Sequence, residues 1–250
     1  MTDKGKRAVL IIIGDEVLSG KTADKNGVFL TRELRALGVQ VSRVVIIPDD
    51  IEVIAEEIRS SLERFDLIFT SGGIGPTHDD VTMEGIALGL GKALVPHPLL
   101  IEIIKKAHGP NYNAAQGRMA QVPEGTELLF GKALRFPVLR FDKIYIFPGI
   151  PELLVQKFEA IKERFRDQPF YLTKIYLAEK EYVLADTLRE ALRHYPALLL
   201  GSYPKLHHPE HTLLLTLESK DLTYLKAASH CLINLLPKDK IVKIEECENA

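Results

Sequence analysis

The sequence predicts an α/β protein in two parts: a three-layer domain on a mostly parallel sheet, then a smaller α+β module. Three observations predict this. Apolar runs such as Ala8–Ile13 alternate with amphipathic helical patterns, as β-α-β-α-β units do. A glycine-rich stretch, Thr70-Ser-Gly-Gly-Ile-Gly-Pro-Thr-His-Asp-Asp-Val-Thr82, lies between an apolar strand and a helix. Past Arg166-Asp-Gln-Pro169 the pattern changes to β-α-β-β-α-β, a split βαβ arrangement. The expected domains are 1–168 and 169–250.

Ala8–Ile13 is apolar throughout, the mark of a strand buried on both faces. It ends in Gly14-Asp15-Glu16, a polar terminus suited to the rim of a ligand crevice. Asn26–Leu37 predicts a helix with Val28, Leu30, Leu34 and Leu37 on its apolar face, stopped by Gly38. Val39–Ile47 predicts the second strand, ended by Pro48-Asp49-Asp50. Asp50 reads as the N-cap of a helix over 52–62. Asp49 falls at a strand's C-terminal end, where such sheets hold ligands. Phe65–Phe69 is the third strand, and a helix follows the glycine-rich loop over Met83–Leu90.

Further helices are predicted over Leu99–Ala107 and from Glu152 to about Phe165. Residues 114–125 read as irregular to strand-like. Glu127–Phe130 and Arg135–Arg140 suggest a hairpin, and Lys143–Phe147 another strand, closed by Pro148-Gly149-Ile150-Pro151. In the second domain, strands are expected over Phe170–Leu177, Ala197–Gly201, His211–Glu218 and Lys240–Ile244. Helices are expected over Tyr182–His194, with Leu184, Leu188 and Leu192 on one face, and over Tyr224–Leu236. His207, His208 and His211 read as a solvated turn rather than a metal site.

Composition bounds the function. With 46% hydrophobic and 26% charged residues, a sizeable core is available, and a net charge of −2 without a basic stripe argues against nucleic acid as the main partner. Cys231 and Cys247 have neither metal-type spacing nor the number for a disulfide framework, which fits a reducing cytoplasm. The apolar run behind the polar N-terminus is too short for a signal sequence or a membrane span.

The chemistry is expected in the glycine-rich loop. Gly72, Gly73 and Gly75 allow close backbone approach, and their N–H groups with the next helix N-terminus would form an anion seat. Pro76 stiffens the loop. Asp79 and Asp80 beside a phosphate seat make sense if a divalent cation bridges them to it. Asp80 as a plain helix N-cap is the structural alternative.

Gly14-Asp-Glu16, Pro48-Asp49, Ser71–Thr82 and Pro148–Pro151 together resemble the molybdopterin-binding (MoaB/MogA/CinA-like) domain family. Within it, Arg135-Phe-Pro137, Tyr145–Leu154 and Leu200–Pro204 are most similar to the N-terminal region of eukaryotic FAD synthase. The likeness covers about residues 7–245. CinA proteins usually carry Gly-Thr-Ala-Pro-Gly where this chain has Arg135–Leu139, which favours the FAD-synthase-like branch. Neither a CinA-type amidase domain nor an FAD-forming domain is expected in these residues.

The resemblance implies hydrolysis of a nucleotide pyrophosphate bond, in FAD or ADP-ribose, with a divalent metal (Mg, Mn or Co) and often K+. It aligns the family's two essential aspartates with Asp49 and Asp80. Asp15 and Asp79 are the further acidic candidates for the cation and the chemistry. Gly14, Asp15, Glu16, Ser71, Gly72, Gly73, Gly75, Pro76, Thr77, Thr82, Pro148 and Gly149 are the expected binding residues. The alternative it implies is molybdopterin binding without hydrolysis. It also implies a small-molecule dinucleotide or pterin as partner and a homo-oligomer, dimer or trimer.

Overall fold

The structure, a computed structural model, describes residues 5–132, 134–206 and 209–249, with side chains through 246. The chain forms two compact units, one ending at Asp167 and the other beginning at Gln168.

The first unit runs β1 (Arg7–Ile13), α1 (Asp15–Leu18), α2 (Asn26–Ala36), β2 (Gln40–Ile47), α3 (Ile51–Leu62), β3 (Leu67–Ser71), α4 (Thr82–Leu90) and β4 (Leu94–Pro96). It continues with α5 (Pro98–His108), α6 (Ala114–Arg118), β5 (Gln121–Pro123), β6 (Glu127–Leu129), β7 (Val138–Phe141), β8 (Ile144–Phe147) and α7 (Pro151–Ile161). Its main sheet has the order β2-β1-β3-β8-β7-β6. β2, β1, β3 and β8 are parallel neighbours, and β7 and β6 add an antiparallel edge. β4 and β5 pair separately.

The alternation of β1 explains the three layers. Ala8 and Leu10 enter a core with Leu30 and Leu34 of α2 and Leu154 and Phe158 of α7. Val9, Ile11 and Ile13 enter a second core with Ile54 and Ile58 of α3, Ile86 of α4 and Leu100 of α5. A strand buried on both faces needs apolar residues at every position, which is what the run shows. Gly38 follows α2 at φ 84°, a left-handed stop. Val28 lies on the other side of that helix, 69% exposed, and is not part of the apolar face.

Residues 114–125 are not irregular throughout: α6 occupies the first part and β5 the end. The physical reason is a capping box. The Asn113 side chain accepts the Ala115 and Gln116 N–H groups, and the Gln116 side chain accepts the Asn113 N–H at 2.7 Å.

The second unit is β9 (Tyr171–Leu177), α8 (Glu181–His194), β10 (Leu199–Pro204), β11 (Leu213–Ser219), α9 (Leu222–Leu235) and β12 (Ile241–Asn249). Its antiparallel sheet has the order β10-β11-β9-β12, the arrangement of a split βαβ fold. One core lies between this sheet and the two helices, including Leu184, Leu188, Leu215, Leu225 and Leu232. Leu192 remains 36% exposed at the margin of α8.

β10 starts later than the apolar pattern suggests. The Ala197 N–H bonds the Tyr224 hydroxyl at 3.0 Å instead of a strand neighbour. Pro204 is accommodated because β10 is an edge strand. His207 and His208 lie outside the described residues. His211 is buried, not on a solvated turn, and its ring meets Tyr176 edge-on at 4.9 Å.

Candidate functional site

The parallel strands put four loops at one sheet edge: Gly14-Asp15-Glu16 after β1, Pro48-Asp49 after β2, Gly72–Val81 after β3, and Pro148–Ile150 after β8. The chain moves from β1 outward to β2 and then back past β1 to β3. The ends of β1 and β3 therefore flank a topological switch point, the crevice where open α/β sheets hold ligands.

Gly72 closes that crevice at its base. It has φ 112°, and a Cβ there would stand 2.0 Å from the Ile13 carbonyl oxygen. Only glycine fits such contact. Its N–H donates to the Phe147 carbonyl at 3.2 Å, so it is committed to the sheet and not to an anion seat. The seat shifts one residue on. The N–H groups of Gly73 and Gly75 meet no acceptor among the described residues. Thr82 fixes the loop from the helix side: its hydroxyl donates to the Gly72 carbonyl at 2.9 Å and its N–H to the Gly73 carbonyl at 3.0 Å.

The two aspartates singled out by the sequence lie against this loop. A Cβ at Gly73 would be 3.2 Å from Asp49 Oδ1, and one at Gly75 would be 2.6 Å from Asp80 Oδ2. The carboxylates thus bracket a three-residue turn. Asp49 Oδ2 accepts the Asp15 N–H at 3.0 Å. Asp80 Oδ2 accepts the Thr77 N–H at 2.8 Å and the Thr77 hydroxyl at 2.5 Å. Val81 holds the N-cap position of α4, with no side-chain cap bond, so Asp80 is not a cap. Asp50 is one: its side chain accepts the Glu52 and Val53 N–H groups.

Burial, above all, raises the Asp49 pKa from its ordinary value. The Asp15 N–H opposes this, and the neighbouring charges of Asp15, Glu16 and Asp79 add to it. Asp79 is held below the usual carboxylate range, first by hydrogen bonding from the Thr77 hydroxyl and then by its own N–H. That hydroxyl has a single proton, and the short bond to Asp80 takes it, so its hold on Asp79 is the weaker of the two. Of these carboxylates, Asp49 is the one that its surroundings push up.

Around the loop is a cleft of about 1160 Å³. Glu16, Asp49, Asp79 and Asp80 line its acidic end, with Gly73, Gly75, Pro76, Pro148 and Gly149 as backbone wall. Asp15 is exposed and is not a lining residue; it contributes its N–H to Asp49 instead. Ser71 and Thr82 are fully buried and act as frame. Leu100, Ile104, Met119 and Phe136 form an apolar stretch of wall.

Sequence reasoning passed over three residues. Asn26, read only as a helix start, is buried and cross-ties the site. Its Nδ2 donates to Ser71 Oγ at 2.9 Å and to the Gly149 carbonyl at 2.7 Å, while Ser71 Oγ donates to the Pro148 carbonyl at 3.2 Å. Arg118, at the end of α6, donates to the Pro76 carbonyl at 2.7 Å and steadies the loop. Lys157 of α7 lines the cleft and donates to the carbonyls of Phe136, at 3.1 Å, and Pro137. Only Asn26 left a signal, a polar residue opening an apolar helix.

Residues 9–167 match the model of the probable molybdopterin binding domain. The chain belongs to this family. Beyond the molybdopterin-binding-like domain, residues 169–245 match the middle domain of FAD synthase. A protein from Archaeoglobus fulgidus is 32% identical over 79% of this chain and 85% of its own length. A probable FAD synthase from Caenorhabditis elegans is 29% identical over 92% of this chain, and a CinA-like protein from Thermotoga maritima 35% identical over 75%. The chain spans about half the length of those two relatives. The crystal structure of CinA from Thermoplasma acidophilum, a protein of unknown function, superposes with a TM-score of 0.60 at 31% identity, over 65% of this chain and all of that one.

Proposed function

We propose that this protein is a metal-dependent hydrolase of a nucleotide pyrophosphate bond, acting on FAD to give FMN and AMP or on ADP-ribose to give ribose phosphate and AMP. The observation that carries the reading is the pair Asp49 and Asp80 bracketing a turn whose Gly73 and Gly75 N–H groups have no acceptor among the described residues. Donors alone would make an anion seat. Carboxylates beside such a seat repel a phosphate unless a cation lies between them.

The donor set fits a magnesium-like ion. It is all oxygen, and no three His, Cys, Asp or Glu side chains converge among the described residues. One or two carboxylates, completed by water and substrate phosphate, is the usual arrangement for that ion. Asp49 and Asp80 would hold it, and Asp79 and Glu16 add negative charge to that end of the cleft. A bound divalent ion supplies Lewis-acid polarisation of a phosphoryl oxygen and a more acidic water.

The chain's own residues do the rest. Gly73 and Gly75 donate to phosphoryl oxygens and favour the charge that builds on them. Thr77 and the Asp15 N–H fix the two carboxylates, so little reorganisation is needed. Asn26 holds the Gly149 wall against the loop.

The test is AMP release from FAD, ADP-ribose and NADH, each with magnesium, manganese or cobalt, with and without potassium. Metal-dependent AMP from FAD or ADP-ribose is expected. Asp80→Asn should lower turnover at least about 100-fold, the scale for removing one electrostatic element of a site. Full turnover in that variant would exclude the mechanism. A second reading is pterin binding without hydrolysis, which the match to a probable molybdopterin binding domain favours. It predicts no AMP from any substrate and saturable binding of molybdopterin.

A further inference from the structure

The charged lining of the cleft is sorted by sign. The acids Glu16, Asp49, Asp79 and Asp80 surround the glycine loop, whereas the cations of the wall, Arg135 and Lys157, belong to the 134–137 segment and α7. Lys157 Nζ donates to the carbonyls of Phe136 and Pro137. An ammonium has three N–H groups, so one is left over. Neither Lys157 nor Arg135 has a carboxylate partner among the described residues. Apolar groups, Phe136, Pro137 and Leu153, flank Lys157 in the wall. The ammonium is therefore a partly buried positive charge, held in place by carbonyls and lining a cleft, with no counter-ion among the described residues. Burial lowers its pKa from 10.5 to about 8. An anion arriving from solvent would relieve that cost.

We propose that Lys157, assisted by Arg135 at the rim, is a second anion seat of the cleft, specific for a phosphate group of the bound nucleotide. Lys157 lies six residues beyond Pro151, which opens α7 beside the acidic end. The acidic glycine-loop end and the Lys157 ammonium line one cleft. Two seats of opposite kind suit a nucleotide with two phosphate groups, one met at the glycine loop through a cation and one met directly by the ammonium. A nucleoside monophosphate can satisfy one end only. The nucleotide identity of the ligand rests on the hydrolase reading; the seat itself does not.

The experiment separates the two. Binding of AMP and inorganic phosphate is measured by calorimetry in EDTA, where the acidic end repels a phosphate, only the Lys157 seat can hold one, and no pyrophosphate bond is present to hydrolyse. In parallel, acetylation of Lys157 by acetic anhydride at pH 8 is followed by mass spectrometry with and without saturating ligand. The expected result is saturable binding, at least fivefold protection of Lys157, and no protection of an exposed lysine such as Lys92. Lys157→Met should weaken binding about tenfold or more, the scale of one hydrogen bond to a charged group. Lys157→Arg, which keeps the charge, should lose less, and both variants should unfold cooperatively. Absence of binding, or an acetylation rate at Lys157 unchanged by bound ligand, would overturn the seat. Absence of AMP release in the presence of metal, with protection intact, would overturn the hydrolase reading alone.

Discussion

Asp49 and Asp50 are neighbours with opposite duties, and substitution should separate them. Asp50 caps α3 and is exposed, so Asp50→Ala should cost about 1 kcal/mol of stability and leave turnover intact. Burial first, and then the charges of Asp15, Glu16 and Asp79, oppose ionisation of Asp49. Its raised pKa means that the native state binds more protons than the unfolded chain as pH rises above 3.8, so its contribution to stability falls across that window. Asp49→Asn should therefore raise the melting temperature at pH 7, though not below pH 3.8, while abolishing turnover. Thermal unfolding of both variants at two pH values, with one activity assay, checks the pair. The opposite pattern would make Asp49 the structural residue.

Lys157 gives a prediction with the other sign. Its lowered pKa means that between pH 8 and 10.5 the unfolded chain still holds a proton that the native state has shed. Stability contributed by this side chain rises with pH over that window. Relative to Lys157→Met, the wild-type protein should gain up to about 3 kcal/mol from pH 8 to 10.5, less whatever solvent screening removes. Urea unfolding at the two pH values measures the difference of differences, which cancels any constant cost of losing the two carbonyl bonds.

At the scale of elements, the β3–α4 connection concentrates the constraints. Gly72→Ala would set a Cβ 2.0 Å from the Ile13 carbonyl in a left-handed conformation. It should cost about 3 kcal/mol or more, because either β1 or β3 must move. A loss below about 1 kcal/mol in urea unfolding would show that the strand ends are not in contact. Much of this region was legible because several signals agreed: apolar β1 and β3, glycines at forced positions, and acids at strand ends. Less legible were features made by pairing at a distance. Nothing local to Gly72 says that its N–H bonds Phe147, and nothing local to Asp15 says that its backbone, not its carboxylate, serves Asp49. The α6 segment carried a readable capping box, Asn113 to Gln116, hidden by Gly109 and Pro110 just upstream. Lys157 left no signal, since its cost arises only when the 134–137 segment covers α7.

For the molecule as a whole, two adjacent residues mark where one folding unit gives way to the next. Asp167 is stitched into the first: its N–H donates to the Leu37 carbonyl at 2.8 Å and its carboxylate accepts the Lys6 N–H at 2.7 Å. Gln168 is stitched into the second, donating to the Lys220 carbonyl at 2.7 Å. The first unit owns two cores, one on each face of its sheet, and the entire cleft. The second owns a single core between one sheet and two helices. Smaller units bury a smaller fraction of their surface and are the more marginal. A chain ending after Asp167 should therefore unfold cooperatively by circular dichroism and keep the ligand binding and turnover of the full chain within about threefold, roughly 0.7 kcal/mol. One ending before Asp167 should lose stability, because Leu37 and Lys6 lose their partner. A fragment from Gln168 onward should melt at a lower temperature than the first. Collapse of the 1–167 fragment to a non-cooperative state would mean that the first unit does not fold on its own.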